Sequence, residues 1–148
     1  MADKTRIGKI YHLLAWEVER GKMRALVESI GDGNPIFISR EAANKAGYKD
    51  TPAPPTFATV PMMATNILNE IIHDLSINYS RLLHGEENYE YLKEIYPGDV
   101  LSGKIAVASI HEKTGKSGTM EFIRLAFLYK NQRGEAVLEG SSLFIERK

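Results

Sequence analysis

A chain of 148 residues with 19 Lys and Arg against 19 Asp and Glu carries no formal net charge. It has no basic run or aromatic-interleaved basic stripe, which argues against nucleic acid as a partner. The absence of cysteine excludes disulfides, thiolate nucleophiles and Cys-ligated metal. No apolar run approaches the ~18 residues of a membrane span, and residues 1–20 carry charges throughout, with no signal-peptide core. The expectation is a cytoplasmic protein of one domain, residues 1–148, with little self-repulsion to oppose oligomerisation.

In chain order, residues 10–18 read as a strand in which Trp16 is a buried anchor or, alternatively, a ligand contact. Met23, Leu26, Val27 and Ile30 then fall at i, i+3, i+4 and i+7, the apolar stripe of an amphipathic helix that ends at Gly31. The stretch from Gly31 to Phe57, GDGNPIFISREAANKAGYKDTPAPPTF, is dense in turn chemistry and poor in apolar payload. That balance points to a site, not a core. Inside it Ser39 is an N-cap, Glu41 sits in the first turn and Gly47 closes a short helix that covers something else. From Thr56 onward Val60, Met63, Ala64, Ile67, Leu68, Ile71, Ile72 and Leu75 keep helical spacing, and Met62 widens the apolar face. This predicts a long central helix buried within a sheet, with Pro61 tolerable only in its first turn.

The second half reads as strands: residues 83–95, 100–110, 120–129 and 137–145, separated by Pro97-Gly98-Asp99, a hairpin loop over 113–118 and a turn at 131–134. On the second of these Leu101, Ile105 and Val107 share a face, and the third is apolar enough for burial on both faces. The layout is α+β, an antiparallel sheet of about five strands wrapped around the helix as in a hot-dog fold, with a short overhanging helical segment.

Four runs in register, G-D-G-N-P-I at Gly31 to Ile36, A-P-P-T-F at Ala53 to Phe57, L-H-G-E at Leu83 to Glu86 and P-G-D-V-L at Pro97 to Leu101, resemble the MaoC-like (R)-specific hydratases and dehydratases, most closely the N-terminal dehydratase domain of fatty-acid-synthase type. The resemblance implies a dimer of hot-dog units acting on acyl thioesters of coenzyme A or acyl carrier protein, by reversible hydration of an enoyl thioester, with no metal or redox cofactor. In that family an Asp and a His within D-x-N-P-x-H share one water, and a backbone N–H at the head of the buried helix polarises the thioester carbonyl. The division of labour suits the chemistry, because one water must be deprotonated while charge develops on the thioester.

Here Asp32, Asn34 and Pro35 are present, but Phe37 occupies the histidine position. Pro55, which has no N–H, stands where the helix-start glycine is expected. The resemblance therefore implies the half of a pair that lacks the catalytic His, shaping an acyl channel through Asn34, Phe37, Pro55, Thr56 and Phe57 and relying on a partner subunit. Asp32 is either a catalytic acid/base or the cap of an Asx turn. His84 and Glu86, two apart on a strand, would share a face and offer a substitute imidazole–carboxylate pair in a homo-oligomer, or form a polar edge. Phe37, Phe57, Tyr89 and Tyr91 could line an acyl tunnel or a dimer core. His12, His73 and His111 show no ligand spacing, so no metal is expected. A non-enzymatic acyl-thioester binding module and, last, a thioesterase using Glu70 or Asp74 complete the readings.

Overall fold

The alternation of apolar residues in the second half of the chain builds one antiparallel sheet. In this computed structural model, residues 2–115 and 118–147 are described. The strands are β1 (Ile10–Glu17), β2 (Leu82–Tyr91), β3 (Val100–Gly115), β4 (Gly118–Lys130) and β5 (Ala136–Arg147). They lie in the order β1-β3-β4-β5-β2, every pairing antiparallel. The chain-terminal pairs are thus split, leaving β1 and β2 as the edges. Helices α1 (Arg20–Ser29), α2 (Arg40–Lys45), α3 (Thr59–Ala64) and α4 (Ile67–Asp74) all fall before β2. This is the α+β hot-dog arrangement that the sequence predicts.

Strands β3 and β4 run past their expected ends, so β3 reaches Gly115 and β4 starts at Gly118. Most of the expected hairpin loop is therefore strand, and Lys116 and Ser117 at its tip lie outside the described residues. Strand β2 ends earlier than expected, at Tyr91, and Ile95 beyond it is buried and accepts the Ala53 N–H. On β4 every second residue, from Glu121 through Ile123, Leu125, Phe127 and Tyr129, is buried, whereas the residues between them are only partly covered. The expected burial on both faces is therefore met on one: the helices cover a single side of the sheet.

The central helix is the main local departure. A 3-10 turn (Pro55–Ala58) leads into α3, and α3 and α4 are separated by Asn66, whose backbone is left-handed at φ 62°. Pro61 lies in the first turn of α3, where its missing N–H costs nothing. Thr65 closes that helix by donating its hydroxyl to the Pro61 carbonyl oxygen at 2.7 Å, a bond that competes with continuation of the helix. Apolar spacing continues through the break, which is why the pattern reads as one helix. Phe57, Ile71 and Leu75 from this segment meet Ile105, Ile123, Leu125 and Tyr129 of the sheet in a single core.

Asp74, at the end of α4, accepts hydrogen bonds from Lys9 Nζ at 2.7 Å and from Tyr11 Oη at 2.6 Å. It fastens the helix to β1, and these bonds lower its pKa.

Candidate active site

The segment over residues 31–57 folds as its turn chemistry dictates. Gly31 takes φ 68° where α1 stops, and Gly47 takes φ 94° after α2, conformations that cost a glycine nothing. Asp32 Oδ1 accepts the Asn34 N–H at 2.9 Å, and Asn34 Oδ1 accepts the Ile36 N–H at 3.2 Å. Both side chains are thus engaged in holding the turn. Phe37 is half-buried at the end of a 3-10 turn (Pro35–Phe37). The segment is tied down by Asp50, a nearly buried carboxylate that takes a two-pronged ion pair from Arg20, with both contacts at 2.8 Å, and a further bond from Arg40. Hydrogen bonds from Arg20 first, then from Arg40, hold the Asp50 pKa far below the usual carboxylate range.

At the head of the helical segment the polar backbone is already engaged. The Phe57 N–H bonds the Pro54 carbonyl at 2.9 Å. Tyr91 Oη reaches the carbonyl oxygens of Pro55 (2.9 Å) and Pro54 (3.3 Å). Burial is the main cause that pushes the Tyr91 phenol up to about 12. Pro55 and Thr56 are exposed, whereas Phe57 is fully buried and packs its ring 6.0 Å from that of Trp16, which is half-buried.

An apolar cavity lies elsewhere. It has a volume of about 240 Å3 between α3, α4 and the β2–β5 side of the sheet, and Met62, Met63, Leu68, Ile72, Phe127 and Phe144 supply much of its apolar wall. None of Asp32, Asn34, Phe37, Pro55, Thr56 or Phe57 lines it; His84 does. Tyr89 also lines it, whereas Tyr91 does not.

Glu86 is not the partner of His84. The register of β2 on β5 shifts between His84 and Glu86, so Gly85 is an extra residue in the strand and the alternation inverts across it. Glu86 points to the other face and pairs with Arg124 at 2.9 Å. Glu87 takes the inner position: its Oε1 lies 2.7 Å from His84 Nε2, and its Oε2 accepts the Ser142 hydroxyl at 2.8 Å. Burial first, then the Glu87 carboxylate, raises the pKa of Tyr89 well above the usual phenol value. Glu87 and Ser142 both line the cavity and neither was singled out by sequence reasoning. The available signal was Gly85 itself, since a glycine inside a strand marks a bulge. Among the described residues no group of His, Asp and Glu could hold a metal ion.

Comparison with known proteins places this geometry. The family model described as FAS1-like, dehydratase domain region matches residues 5–140. A protein of Saccharopolyspora erythraea named UPF0336 protein is 33% identical over 148 residues, covering 98% of this chain and 91% of that one. Among solved structures, a MaoC-like dehydratase superposes with TM-score 0.85 and 25% identity over 98% of this chain and 43% of its own length. A chain of the truncated HadBC complex, a 3R-hydroxyacyl-ACP dehydratase of Mycobacterium tuberculosis, superposes with TM-score 0.80 and 23% identity, covering 95% and 96%.

Proposed function

The chain belongs to the FAS1-like dehydratase-region family, a MaoC-like hot-dog family, and on that premise we propose that it is a cytoplasmic acyl-thioester-binding subunit of a hydratase/dehydratase that takes its catalytic histidine from a partner chain. One observation carries this reading: an apolar cavity of about 240 Å3 coexists with Phe37 at the histidine position, so the chain keeps a place for an acyl group and lacks half of the proton-handling pair. Pockets for small ligands are of this apolar character, with few polar groups. Phenylalanine neither holds nor transfers a proton at physiological pH. The carrier is coenzyme A or acyl carrier protein, and no metal or redox cofactor takes part.

A partner subunit has a surface to meet. Strand β2 is an edge, bonded to β5 on one side, and Leu83 on it is exposed, as are Met63, Tyr79 and Leu92. An unpaired edge with exposed apolar residues is suited to strand-to-strand association. The similarity to a chain of the HadBC complex supports a heteromeric assembly, and a homodimer uses the same edge. The test is hydration of crotonyl-CoA by the chain purified alone, then with a second hot-dog chain that carries an intact D-x-N-P-x-H. Turnover only in the pair is the expected result; turnover by the chain alone, abolished by Asp32→Ala, overturns partner dependence.

His84 beside Glu87 favours a second reading, an active homo-oligomer with its acid/base pair on β2. In that case the chain alone hydrates crotonyl-CoA, and His84→Ala removes the activity without unfolding the protein. If acyl-CoA binds and no partner yields turnover, the chain is a binding module.

A further inference from the structure

Strand β2 closes one side of the sheet, so its outer edge offers backbone N–H and carbonyl groups that no strand of this chain takes up. Its ten residues, LLHGEENYEY, hold three glutamates, Glu86, Glu87 and Glu90, and no lysine or arginine. The opposite edge, β1 (IYHLLAWE), holds one glutamate. Acidity is therefore a property of β2 and not of edges in this sheet. Glu86 and Glu90 lie on the outer face. Glu86 is answered by Arg124 at 2.9 Å, yet its side chain is still 57% exposed. Glu90 lies directly opposite Glu139 of β5, and among the described residues no ion pair engages either of them. Like charges on facing positions of neighbouring strands are destabilising, and here no internal cation offsets that cost.

Charges and a bulge can serve merely to blunt an edge. Strand β2 is not finished in that way, because Leu83 near its start and Leu92 just past its end are 47% and 44% exposed. Apolar side chains at both ends, with carboxylates between them, make an edge that attracts a strand and discriminates which one. A second copy of this chain is a poor match. In a two-fold antiparallel join, residues that face each other across the join lie on one side of the sheet. With Glu86 on the axis, it meets its own copy, and with Glu87 there the same happens on the inner face. With Asn88 on the axis, Glu86 meets Glu90 twice. With Tyr89 there, no two glutamates face each other, but none faces a lysine or arginine either.

We propose that β2 is the docking edge for a different chain, one whose own edge strand presents lysine or arginine on the outer face opposite Glu86 and Glu90, and that the same carboxylates keep two copies of this chain apart. The proposal rests on the partner-subunit reading above and adds to it the chemistry by which the partner is chosen. Backbone hydrogen bonds and the two leucines supply affinity, and the glutamates supply the choice.

The test needs no identified partner, because this chain can be given the opposite charge. The double variant Glu86→Lys/Glu90→Lys serves as the basic edge, and sedimentation equilibrium measures its association with the wild type and the self-association of each protein. At about 0.1 M salt the mixed pair is expected to associate about tenfold more tightly than either protein does with itself. At about 1 M salt, where charges act only within roughly 3 Å, that preference should vanish. Glu86→Gln/Glu90→Gln removes the charge without reversing it and should self-associate about threefold more tightly than the wild type. It carries the test if thermal melting shows that the lysine variant does not fold. Mixed association no tighter than wild-type self-association overturns the proposal, whether both proteins dimerise or neither does. So does a preference that high salt leaves unchanged, or, where the glutamine variant carries the test, self-association equal to that of the wild type. Hydration of crotonyl-CoA does not enter this assay. Turnover by the chain alone therefore overturns the partner's histidine, whereas the sedimentation result alone decides the charge rule.

Discussion

Two regions of this molecule invite comparison: the overhanging segment over residues 31–57, and the β2–β5 wall beneath which the cavity lies. The first keeps the letters of a catalytic motif and uses them for structure. Asp32 and Asn34 close turns, and Asp50 clamps the segment with two arginines. The second carries no complete motif, yet it sets an imidazole, a carboxylate and two hydroxyl-bearing side chains in one cavity. Motif letters report where a chain came from, whereas the placement of donors and acceptors reports what can be bound. The comparison also predicts that the wall is sterically exacting and the overhang is forgiving.

The largest effect expected from that contrast concerns glycines. A Cβ at Gly140 on β5 meets the Asn88 carbonyl oxygen at 2.2 Å and the Phe127 ring at 2.7 Å. One of these is backbone and cannot step aside. Gly140→Val should cost about 3 kcal/mol or more in urea unfolding. At Gly33 in the overhang a Cβ meets nothing within 4 Å, and Gly33→Ala should stay within about 0.5 kcal/mol. Equal costs at the two positions would break the contrast.

Next comes the clamp. Asp50→Ala strands two arginines that are themselves partly in water, and about 2 kcal/mol of stability should go with it. The same carboxylate makes stability depend on pH. Its folded pKa is held below the ordinary value of 3.8 by hydrogen bonds from Arg20 and Arg40. The stabilisation is therefore complete above that value and is lost as pH falls below it toward the folded pKa. The wild type should lose stability in acid more steeply than Asp50→Asn, which has no such group to protonate; parallel acid titrations of the two proteins, followed by circular dichroism, check this.

The contrast also explains how much could be read from the residues alone. The sheet was legible because Leu101, Ile105 and Val107 alternate, and so were the caps, because Ser39, Gly31 and Gly47 have few other uses. The pairing of His84 was not, since one extra residue at Gly85 reverses which later side chains face inward, and strict alternation assigns Glu86 the place that Glu87 holds. Sequence spacing likewise ran straight through Asn66, because apolar periodicity records which face is buried and says nothing of a single left-handed residue between two helical pieces. Ser142 was hidden for a different reason: a serine in a strand becomes informative only when the opposite strand brings a carboxylate to it.

The break at Asn66 separates helix α3, which carries Met62 and Met63, from α4, which carries Leu68 and Ile72, so it shapes the cavity. A left-handed backbone is tolerated by asparagine and strained in alanine. Asn66→Ala should cost about 1 kcal/mol and Asn66→Gly only a few tenths, measured by the same urea unfolding. A larger loss with glycine than with alanine would mean that the asparagine side chain, and not its backbone, fixes the break.

The smallest expected effect is the most telling for the overhang. Phe37→His restores the missing letter of the motif at a half-buried position, so stability should change by about 1 kcal/mol or less. Activity should not follow. The Asp32 carboxylate already accepts the Asn34 N–H, Pro55 has no N–H to offer a thioester oxygen, and Tyr91 already occupies the Pro54 and Pro55 carbonyls at the head of the helix. A histidine placed there has no prepared partner for its proton and no donor facing the charge that would develop. Crotonyl-CoA hydration by the purified Phe37→His variant should stay at background. Turnover gained by this one substitution, and lost again with Asp32→Ala, would show that the overhang still holds its chemistry in waiting, and the division drawn between the two regions would fall.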